Sequence, residues 1–350
     1  MNFGERSGLW MKKNLFSSPK ESIVSIILGS IIFAAISKLL NWMLLSATWT
    51  GSAEVCRANS GFCWPFLWEK MSLILFGLYP REYLWRPILT VIAFVVLMFM
   101  SFDKKRWGLN LLINWLVLGF WTLFFLRGGM FGLHYIESDS WGGLPLTLLL
   151  FTFGLLGAYP LGIFLALGRR SDLIIIKWIC IGFIELIRGV PLISVLFMAS
   201  VLFPLFLPEG VVFEKYWRAQ IAFILFMGAY MAEVVRGGLL AISKGQTEAA
   251  KALGLSSPQT QIFIILPQAL RIVIPPTVST AIGLFKDTSL VLIIALFDLL
   301  GSTKSALKDS SWLGFSVEAY VFVGLIYYFF CSSLSRLSRK MERELSVVKR

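Results

Sequence analysis

The sequence predicts an all-α integral membrane protein with about eight transmembrane helices. Of its 350 residues, 57% are hydrophobic and only 15% are charged, and the mean hydropathy is +0.77. Soluble globular domains carry a larger charged share, about 25%. Because one membrane span needs about 20 apolar residues, the candidate spans are 22–45, 85–102, 108–126, 144–168, part of 173–207, 218–242, 270–300 and 316–336.

Two of these segments have irregular features. The segment 173–207 is too long for one straight span, since a helix rises about 1.5 Å per residue and the hydrocarbon core is about 30 Å thick. We therefore expect a break at Gly189-Val190-Pro191. The segment 144–168 contains Gly154, Gly157 and Gly162, and small residues allow close approach of neighbouring helices.

The distribution of Lys and Arg predicts the orientation. Short loops rich in these residues stay on the cytoplasmic side, and the clusters at 12–20, 104–106, 169–170, 244–251 and 336–350 fall on one side of an eight-span arrangement. Both termini are therefore expected in the cytoplasm. The net charge of +12 is explained by topology and lipid contact rather than by nucleic acid.

The N-terminal region and the cysteines give two further expectations. The first apolar segment is longer than a signal-peptide core and lacks a clear cleavage site, which indicates a retained span. Cys56 and Cys63 lie on the predicted outer loop, where an oxidising compartment permits a disulfide; the sequence leaves the bond open. Cys180 and Cys331 lie in apolar surroundings and are expected to be packing residues.

A polar interruption at 246–267 predicts a short helix-turn-helix. Residues 246–253 are helix formers, Gly254 suits a left-handed helix cap, and Ser257-Pro258 indicates the start of a second helix. The small side chains of Ala249 and Ala250 leave a slim surface beside Glu248 that another protein could approach. The alternative is an ordinary solvated loop helix.

Two apolar segments repeat one charged arrangement, Glu185-x-x-Arg188-Gly189 and Glu233-x-x-Arg236-Gly237. Three residues apart on a helix, each Glu can partly neutralise its Arg. Because ionisable residues inside a membrane are costly, they are candidates for a pathway or gate. The alternative is a structural ion pair near the membrane boundary, where long side chains reach the interface.

A third polar break, Lys286-Asp287-Thr288-Ser289, interrupts the apolar run 270–300. Such a break is tolerated at membrane depth only where it lines protein or water. It offers both charge signs on a locally unwound helix, which would match the two ends of a zwitterionic substrate. A purely structural role is the alternative.

Catalytic and metal-binding constellations are not evident. His134 is the only histidine, so the sequence cannot supply two histidines at metal-ligand spacing. No G-x-x-x-x-G-K-[ST] phosphate loop occurs. We therefore expect that the chain is not an enzyme and binds no cofactor of its own, and that any ATP hydrolysis would have to come from another subunit.

From about Leu144 to Arg339 the chain resembles the polar amino-acid (histidine/glutamine-type) branch of ABC-importer permeases. The loop fits the family's pattern Glu-Ala-Ala, three residues, Gly, nine residues, Ile-x-Leu-Pro, from Glu248 to Pro267. Other motifs in the same order carry the likeness: Ile187-Arg188-Gly189-Val190-Pro191-Leu192, Ala229-Tyr230-Met231-Ala232-Glu233-Val234-Val235-Arg236-Gly237, Lys244-Gly245-Gln246 and Lys286-Asp287-Thr288-Ser289-Leu290.

The front part adds a closer match. Cys63-Trp64-Pro65-Phe66-Leu67-Trp68-Glu69-Lys70 and the segment from Leu73 to Pro87 look like the M membrane subunit of the general L-amino-acid importers. The resemblance implies an N-terminal part, 1–142, with three spans and a periplasmic aromatic-rich segment. A type I (MetI-like) permease core of about five helices follows at 143–340, with a coupling loop at 243–267 and a cytoplasmic tail at 341–350.

The resemblance also implies roles and partners. The chain would be a multi-pass subunit of the bacterial inner membrane. It would work with two ABC ATPases carrying ATP and Mg, with a second permease in a heterodimer, and with a periplasmic amino-acid-binding protein. The expected ATPase-coupling residues are Glu248, Ala249, Ala250, Gly254, Leu266 and Pro267. The expected substrate-pathway or gate residues are Glu185, Arg188, Glu233, Arg236, Lys286, Asp287, Thr288 and Ser289.

Two other classes remain possible from the residues. An ion-gradient-driven secondary transporter would also use broken helices and charges at the membrane midplane, with internal repeats; the Glu-x-x-Arg-Gly echo is the one repeat we identify. A membrane-embedded enzyme acting on lipids would need a nucleophile, base or metal cluster. The sequence leaves open which amino acids move, whether the membrane holds a specific site, and the role of the first three helices.

Overall fold

The computed structural model describes residues 10–211 and 213–346; the last residues of the predicted tail, with Lys349 and Arg350, lie outside this part. The predicted all-α architecture is confirmed. After a helical turn at 10–14, the helices are α1 (Pro19–Leu40), α2 (Ala53–Ala58), α3 (Trp64–Phe76), α4 (Trp85–Met100), α5 (Leu109–Arg127), α6 (Gly143–Gly168), α7 (Ile174–Gly189), α8 (Leu192–Phe197), α9 (Lys215–Leu240), α10 (Lys244–Ala252), α11 (Ser257–Gln259), α12 (Leu266–Ile272), α13 (Ile274–Asp287), α14 (Leu299–Ala306) and α15 (Ser316–Ser346).

Within the described residues, six helices are long and apolar enough to cross a membrane: α1 continued to Leu45, α5, α6, α9, α13 continued to Ile294, and α15. A seventh candidate is the pair formed by α7 and by α8 continued to Phe206, which is bent by 103°. The bend lies between Gly189 and Leu192, as the sequence predicts. The eighth predicted span is α4, which has only 16 residues and is shorter than the other candidates.

The chain divides into two compact units. The first contains the residues up to Lys70 together with Asp309–Glu318. In it, Cys56 and Cys63 form a disulfide with their Cα atoms 5.6 Å apart, which resolves the bond that the sequence leaves open. The rings of Trp49 and Trp64 stack with centroids 5.1 Å apart.

An ion-pair network also stabilises this first unit. The Nζ atom of Lys70 lies 2.9 Å from Glu69 Oε1 and 2.6 Å from Asp309 Oδ2. The indole of Trp312 donates to Glu69 at 2.8 Å. The hydrogen bond from Lys70 holds the pKa of Glu69 and that of Asp309 below their ordinary values.

The second unit, Met71–Lys308 with Ala319–Arg350, is built around α6. This helix is apolar on all sides and contacts α4, α5, α7, α9, α13 and α14. It approaches α9 closely in its middle, where a Cβ added to Gly162 would stand 2.5 Å from Met231 Cβ and 2.9 Å from the Met231 carbonyl carbon. The predicted close helix packing at the glycines of this span is therefore confirmed.

A short tertiary bridge closes one end of α6. Gly142 and Gly143 pair in parallel with the two-residue strand β1 (Phe297–Asp298). Asp298 is fully buried and its Oδ1 accepts a hydrogen bond from Gly301 N at 2.8 Å, which caps α14. The bridge fixes the entry of α6 against the segment that follows α13.

Candidate substrate pathway and coupling loop

The polar loop between α9 and α13 forms the predicted short helical hairpin. Helix α10 ends as expected, because Gly254 has a φ of +79° in the left-handed region that favours glycine. The Gly254 N–H donates to Lys251 O at 2.9 Å, and the Leu255 N–H donates to Ala250 O at 3.1 Å. These bonds satisfy the final carbonyls of the helix.

The predicted start of the second loop helix was wrong by one residue. Ser256, not Ser257, is the N-cap, and Pro258 is the second helical residue. The reason is a capping box: the side chain of Ser256 accepts from Gln259 N, and Gln259 Oε1 accepts from Ser256 N at 2.9 Å. Gln259 lies three positions after Ser256, which is the spacing that this motif requires.

The loop presents a mixed surface to its surroundings. Ala250 is buried, whereas Glu248, Ala249 and Gly254 are exposed. Glu248 takes part in none of the ion pairs found among the described residues. Large apolar side chains are also exposed in this loop, with Leu253 82% and Phe263 67% exposed, and exposed apolar side chains mark an interaction surface where they form a contiguous patch.

Leu266 and Pro267 begin α12, which connects the loop to the core. Pro267 is exposed and Leu266 is half-buried. Gln268 Nε2 donates to Gln246 Oε1 at 3.1 Å, so α12 is tied to the start of α10. Ala269, one turn further, is buried against α9. A force on the loop would therefore reach α9.

A cleft of about 640 Å³ lies between the α7–α8 bend, α9 and α13. Its wall includes Arg188 and Asp287, two of the predicted pathway residues, together with Tyr230 and Thr280. The guanidinium carbon of Arg188 lies 5.5 Å from the centroid of the Tyr230 ring, within cation–π range. One wall thus carries a positive group and the other a carboxylate.

The other predicted charged residues form a network around Glu233. Its carboxylate lies 2.7 Å from Arg169 Nη1, 2.7 Å from Arg236 Nη2 and 3.8 Å from Arg188 Nη1. The expected pair within Glu233-x-x-Arg236 is therefore present. The expected pair within Glu185-x-x-Arg188 is not found: Glu185 lies 3.3 Å from Arg169 instead, and Arg169, which follows the end of α6, also contacts Glu233 on α9.

The structure distributes the Lys286–Ser289 segment over different environments. Helix α13 ends at Asp287 and the chain continues to Ile294 as a tighter coil, so the break is present but the helix is not unwound. Lys286 is exposed and lies outside the cleft wall. Thr288 Oγ1 donates to Phe285 O at 2.9 Å, and Ser289 Oγ donates to Lys286 O at 2.8 Å.

Arg169, Tyr230 and Leu253 are the residues that sequence reasoning missed. Arg169 was assigned only to topology, although it is the residue that joins α6 to both Glu185 and Glu233. Tyr230 precedes Glu233 by one turn, so its placement on the same face could have been inferred from helical spacing. Leu253 could have been identified because it is an apolar residue in a polar loop, next to the capping Gly254.

The fold and the loop define a membrane-embedded subunit of a transport system. The family model described as "Binding-protein-dependent transport system inner membrane component" matches residues 158–347, and the chain belongs to this family. It is therefore a multi-pass inner-membrane permease subunit and not an enzyme. Nothing found supports the secondary-transporter alternative.

Individual relatives agree with this assignment. The chain is 45% identical over 346 residues to the inner membrane amino-acid ABC transporter permease protein YhdY of Escherichia coli, covering 97% of this chain and 94% of YhdY. It is 36% identical to the glutamate/glutamine/aspartate/asparagine transport system permease protein BztC of Rhodobacter capsulatus, covering 96% and 93%. The structure entitled "Crystal structure of an amino acid ABC transporter with histidines" covers 58% of this chain and 92% of its own, with 28% identity and a TM-score of 0.52.

Proposed function

We propose that this chain is the permease subunit of an ATP-driven importer that moves polar L-amino acids from the periplasm to the cytoplasm by alternating access. The observation that carries the proposal is the cleft beside the α7–α8 bend, because Arg188 and Asp287 offer both charge signs to a zwitterion. The names of the relatives, which are amino-acid permeases, support the substrate class.

In this mechanism Arg188 attracts the carboxylate of the substrate and Asp287 attracts its ammonium group. Tyr230 holds the guanidinium of Arg188 in place. Lys286 lies at the end of α13, and Thr288 and Ser289 begin the tighter coil that follows it. This junction moves when the pathway opens and closes. Glu185, Glu233 and Arg236, joined by Arg169, form a gate at the end of the cleft.

The loop couples this pathway to the ATPases. Glu248, Ala249, Ala250 and Gly254 dock into a groove of a cytoplasmic ATPase, with Leu253 as an additional apolar anchor. Leu266 and Pro267 transmit its displacement to α9 through α12. Two such ATPases carry the ATP and Mg, and this chain supplies no cofactor.

The remaining assignments complete the assembly. A second, related permease forms the other half of the pathway in a heterodimer, as in importers with an M-type subunit, and a periplasmic binding protein delivers the amino acid. Both termini are cytoplasmic. Residues 1–142 form the accessory part, 143–340 the permease core with its coupling loop at 243–267, and 341–350 the tail.

The test uses the full complex in membrane vesicles. We expect Glu248→Lys and Gly254→Asp each to reduce ATP-dependent amino-acid uptake at least tenfold. The first reverses an exposed charge at the docking surface; the second places a side chain where φ is +79°. Glu209→Lys, an exposed charge reversal elsewhere, is the matched control.

Two measurements accompany uptake: the amount of inserted chain and the amount of ATPase that co-purifies with it. The proposal requires that each loop variant inserts normally but loses the co-purifying ATPase or the uptake of amino acid. Undiminished uptake by both loop variants would contradict the docking role.

A further inference from the structure

An apolar cavity lies between the front helices and the permease core, away from the charged cleft. It measures about 240 Å³ and is bounded by α4, α5, α6, α13 and α15. Each of these five helices contributes one aromatic ring to its lining: Phe94, Trp115, Phe151, Phe285 and Phe330. An apolar cavity of about 150 Å³ already suffices to bind benzene, so this space can hold part of a hydrocarbon chain.

Two features indicate that the cavity accepts a ligand from the bilayer. Leu112 lines it and is 47% exposed, so the cavity has an opening on the side of α5. Thr152 also lines it and is 4% exposed, yet its Oγ1 has no hydrogen-bond partner among the described residues. A buried hydroxyl is normally paired, and a polar atom of a ligand could satisfy this one.

A polar cleft of about 540 Å³ lies beside the apolar cavity, at the turn between α4 and α5. Met100 and Leu111 line the polar cleft, and the next residues of the chain, Ser101 and Leu112, line the apolar cavity. The two spaces are therefore neighbours at the end of α4 and in the first turn of α5. One is suited to hydrocarbon and the other to a polar group.

The polar cleft carries positive charge and amide groups. Lys105 and Arg106 line it together with Asn110 and Asn114. Arg106 is paired with Asp103 at 3.3 Å, whereas Lys105 forms none of the ion pairs found in the described part of the chain.

Two other lysines stabilise the turn between α4 and α5. Lys104 lies 2.6 Å from Glu344, and Lys340 Nζ donates to Phe102 O at 2.6 Å. These contacts tie the turn to α15, which also forms a wall of the apolar cavity. The polar cleft and the apolar cavity are thus held by the same helix.

We propose that this pair of spaces is a binding site for one anionic phospholipid. One acyl chain enters the apolar cavity past Leu112, and the phosphate group lies in the polar cleft near Lys105 and Arg106. Basic residues directly beside the end of a membrane helix attract anionic headgroups. In the proposed orientation the turn between α4 and α5 lies on the cytoplasmic side, which places the lipid in the cytoplasmic leaflet. This placement rests on the proposed function; the site itself does not depend on the transported substrate.

The test measures lipid retained by the purified full-length protein. The complex is delipidated in mild detergent, incubated with phosphatidylglycerol or phosphatidylcholine of equal chain length, and analysed by native mass spectrometry. We expect wild type to retain phosphatidylglycerol at least tenfold better than phosphatidylcholine.

Variants separate the two halves of the site. Ala281→Leu adds a side chain at a buried position of the cavity wall and should abolish retention of both lipids. Lys105→Gln with Arg106→Gln should remove the preference for phosphatidylglycerol. Controls at exposed positions are Ala34→Leu, which makes the same substitution, and Lys12→Gln with Lys13→Gln, which removes the same number of positive charges; both should retain the wild-type pattern.

A thermal-unfolding midpoint for each variant checks that it is folded, and Val278→Phe, on the same wall, replaces Ala281→Leu if the latter does not fold. Equal retention of phosphatidylglycerol by wild type and all variants would overturn the proposal. Equal retention of the two lipids by wild type would overturn the headgroup assignment. Neither result would affect the amino-acid import proposal, whose readout is uptake.

Discussion

Glu233 is the residue on which the charged network of the core depends. Its side chain is 18% exposed and meets three guanidinium groups, whereas Glu185 is 58% exposed and meets only Arg169, at 3.3 Å. Exposed ion pairs contribute little to stability, about 0 to 1 kcal/mol. Loss of a partly buried partner costs more, because the remaining charges keep their desolvation penalty.

We therefore expect Glu233→Gln to lower the free energy of unfolding by about 2 kcal/mol, since Arg188 and Arg236 then lose their carboxylate and Arg169 keeps only the exposed Glu185. Glu185→Gln, the matched control, should change it by less than about 0.5 kcal/mol. The measurement is the denaturation of the purified protein in detergent. Equal effects of the two substitutions would show that the network does not depend on Glu233.

At the residue scale, local patterns were predictable and long-range pairs were not. The left-handed cap at Gly254 and the Glu233–Arg236 pair depend on residues that are close in sequence, and both were predicted. The Arg169 contacts join residues 16 and 64 positions apart, and no periodicity within one helix encodes such a distance. The shift from Ser257 to Ser256 reflects two adjacent serines that both have capping chemistry.

At the scale of elements, the ion-pair network of the first unit links α3 to the segment before Trp312. Lys70 lowers the pKa of Glu69 and of Asp309 through hydrogen bonds. Because these folded-state pKa values lie below the ordinary values of 4.5 and 3.8, the carboxylates stabilise the folded unit above about pH 5. That contribution is lost as the pH falls through and below 4.

We expect proteolysis of the first unit in the segment around Arg57 to accelerate when the pH falls from 7 to 3, using a protease active at both values. Lys70→Met should already raise cleavage at pH 7, several-fold, and should reduce the pH dependence. Lys12→Met removes an exposed charge outside the network and serves as the control. A pH response of Lys70→Met as steep as that of wild type would rule out this network as the source.

The positions of the helices could be predicted from the lengths of the hydrophobic segments, but the geometry of their irregular parts could not. Each predicted apolar segment contains a helix, although 270–300 also includes strand β1, and the break at Gly189-Val190-Pro191 could be predicted because proline and glycine interrupt helices. The tighter coil after Asp287 was predicted only as an unwound region. Its side chains bond to carbonyls of the preceding turn, and this choice between geometries depends on packing rather than on residue type.

At the scale of the whole molecule, the number of membrane crossings depends on α4. Its 16 residues give a length of about 24 Å, below the hydrocarbon thickness of about 30 Å. Short helices are accommodated by local thinning of the bilayer and by residues at their ends that reach the interface. Trp85 at its start and Trp107 after its end are aromatic residues that suit the membrane–water interface.

We predict that α4 crosses the membrane, that the α7–α8 pair crosses once despite its bend, and that the chain therefore makes eight crossings. Single cysteines report this by reaction with a membrane-impermeant maleimide. Glu82→Cys and Glu209→Cys should react in intact spheroplasts, whereas Lys105→Cys, Asp172→Cys and Leu253→Cys should react only after permeabilisation. The parent protein with its natural cysteines is the control. External labelling of Lys105→Cys together with Glu82→Cys would show that α4 lies along one surface, which would leave the N-terminus on the opposite side from the coupling loop.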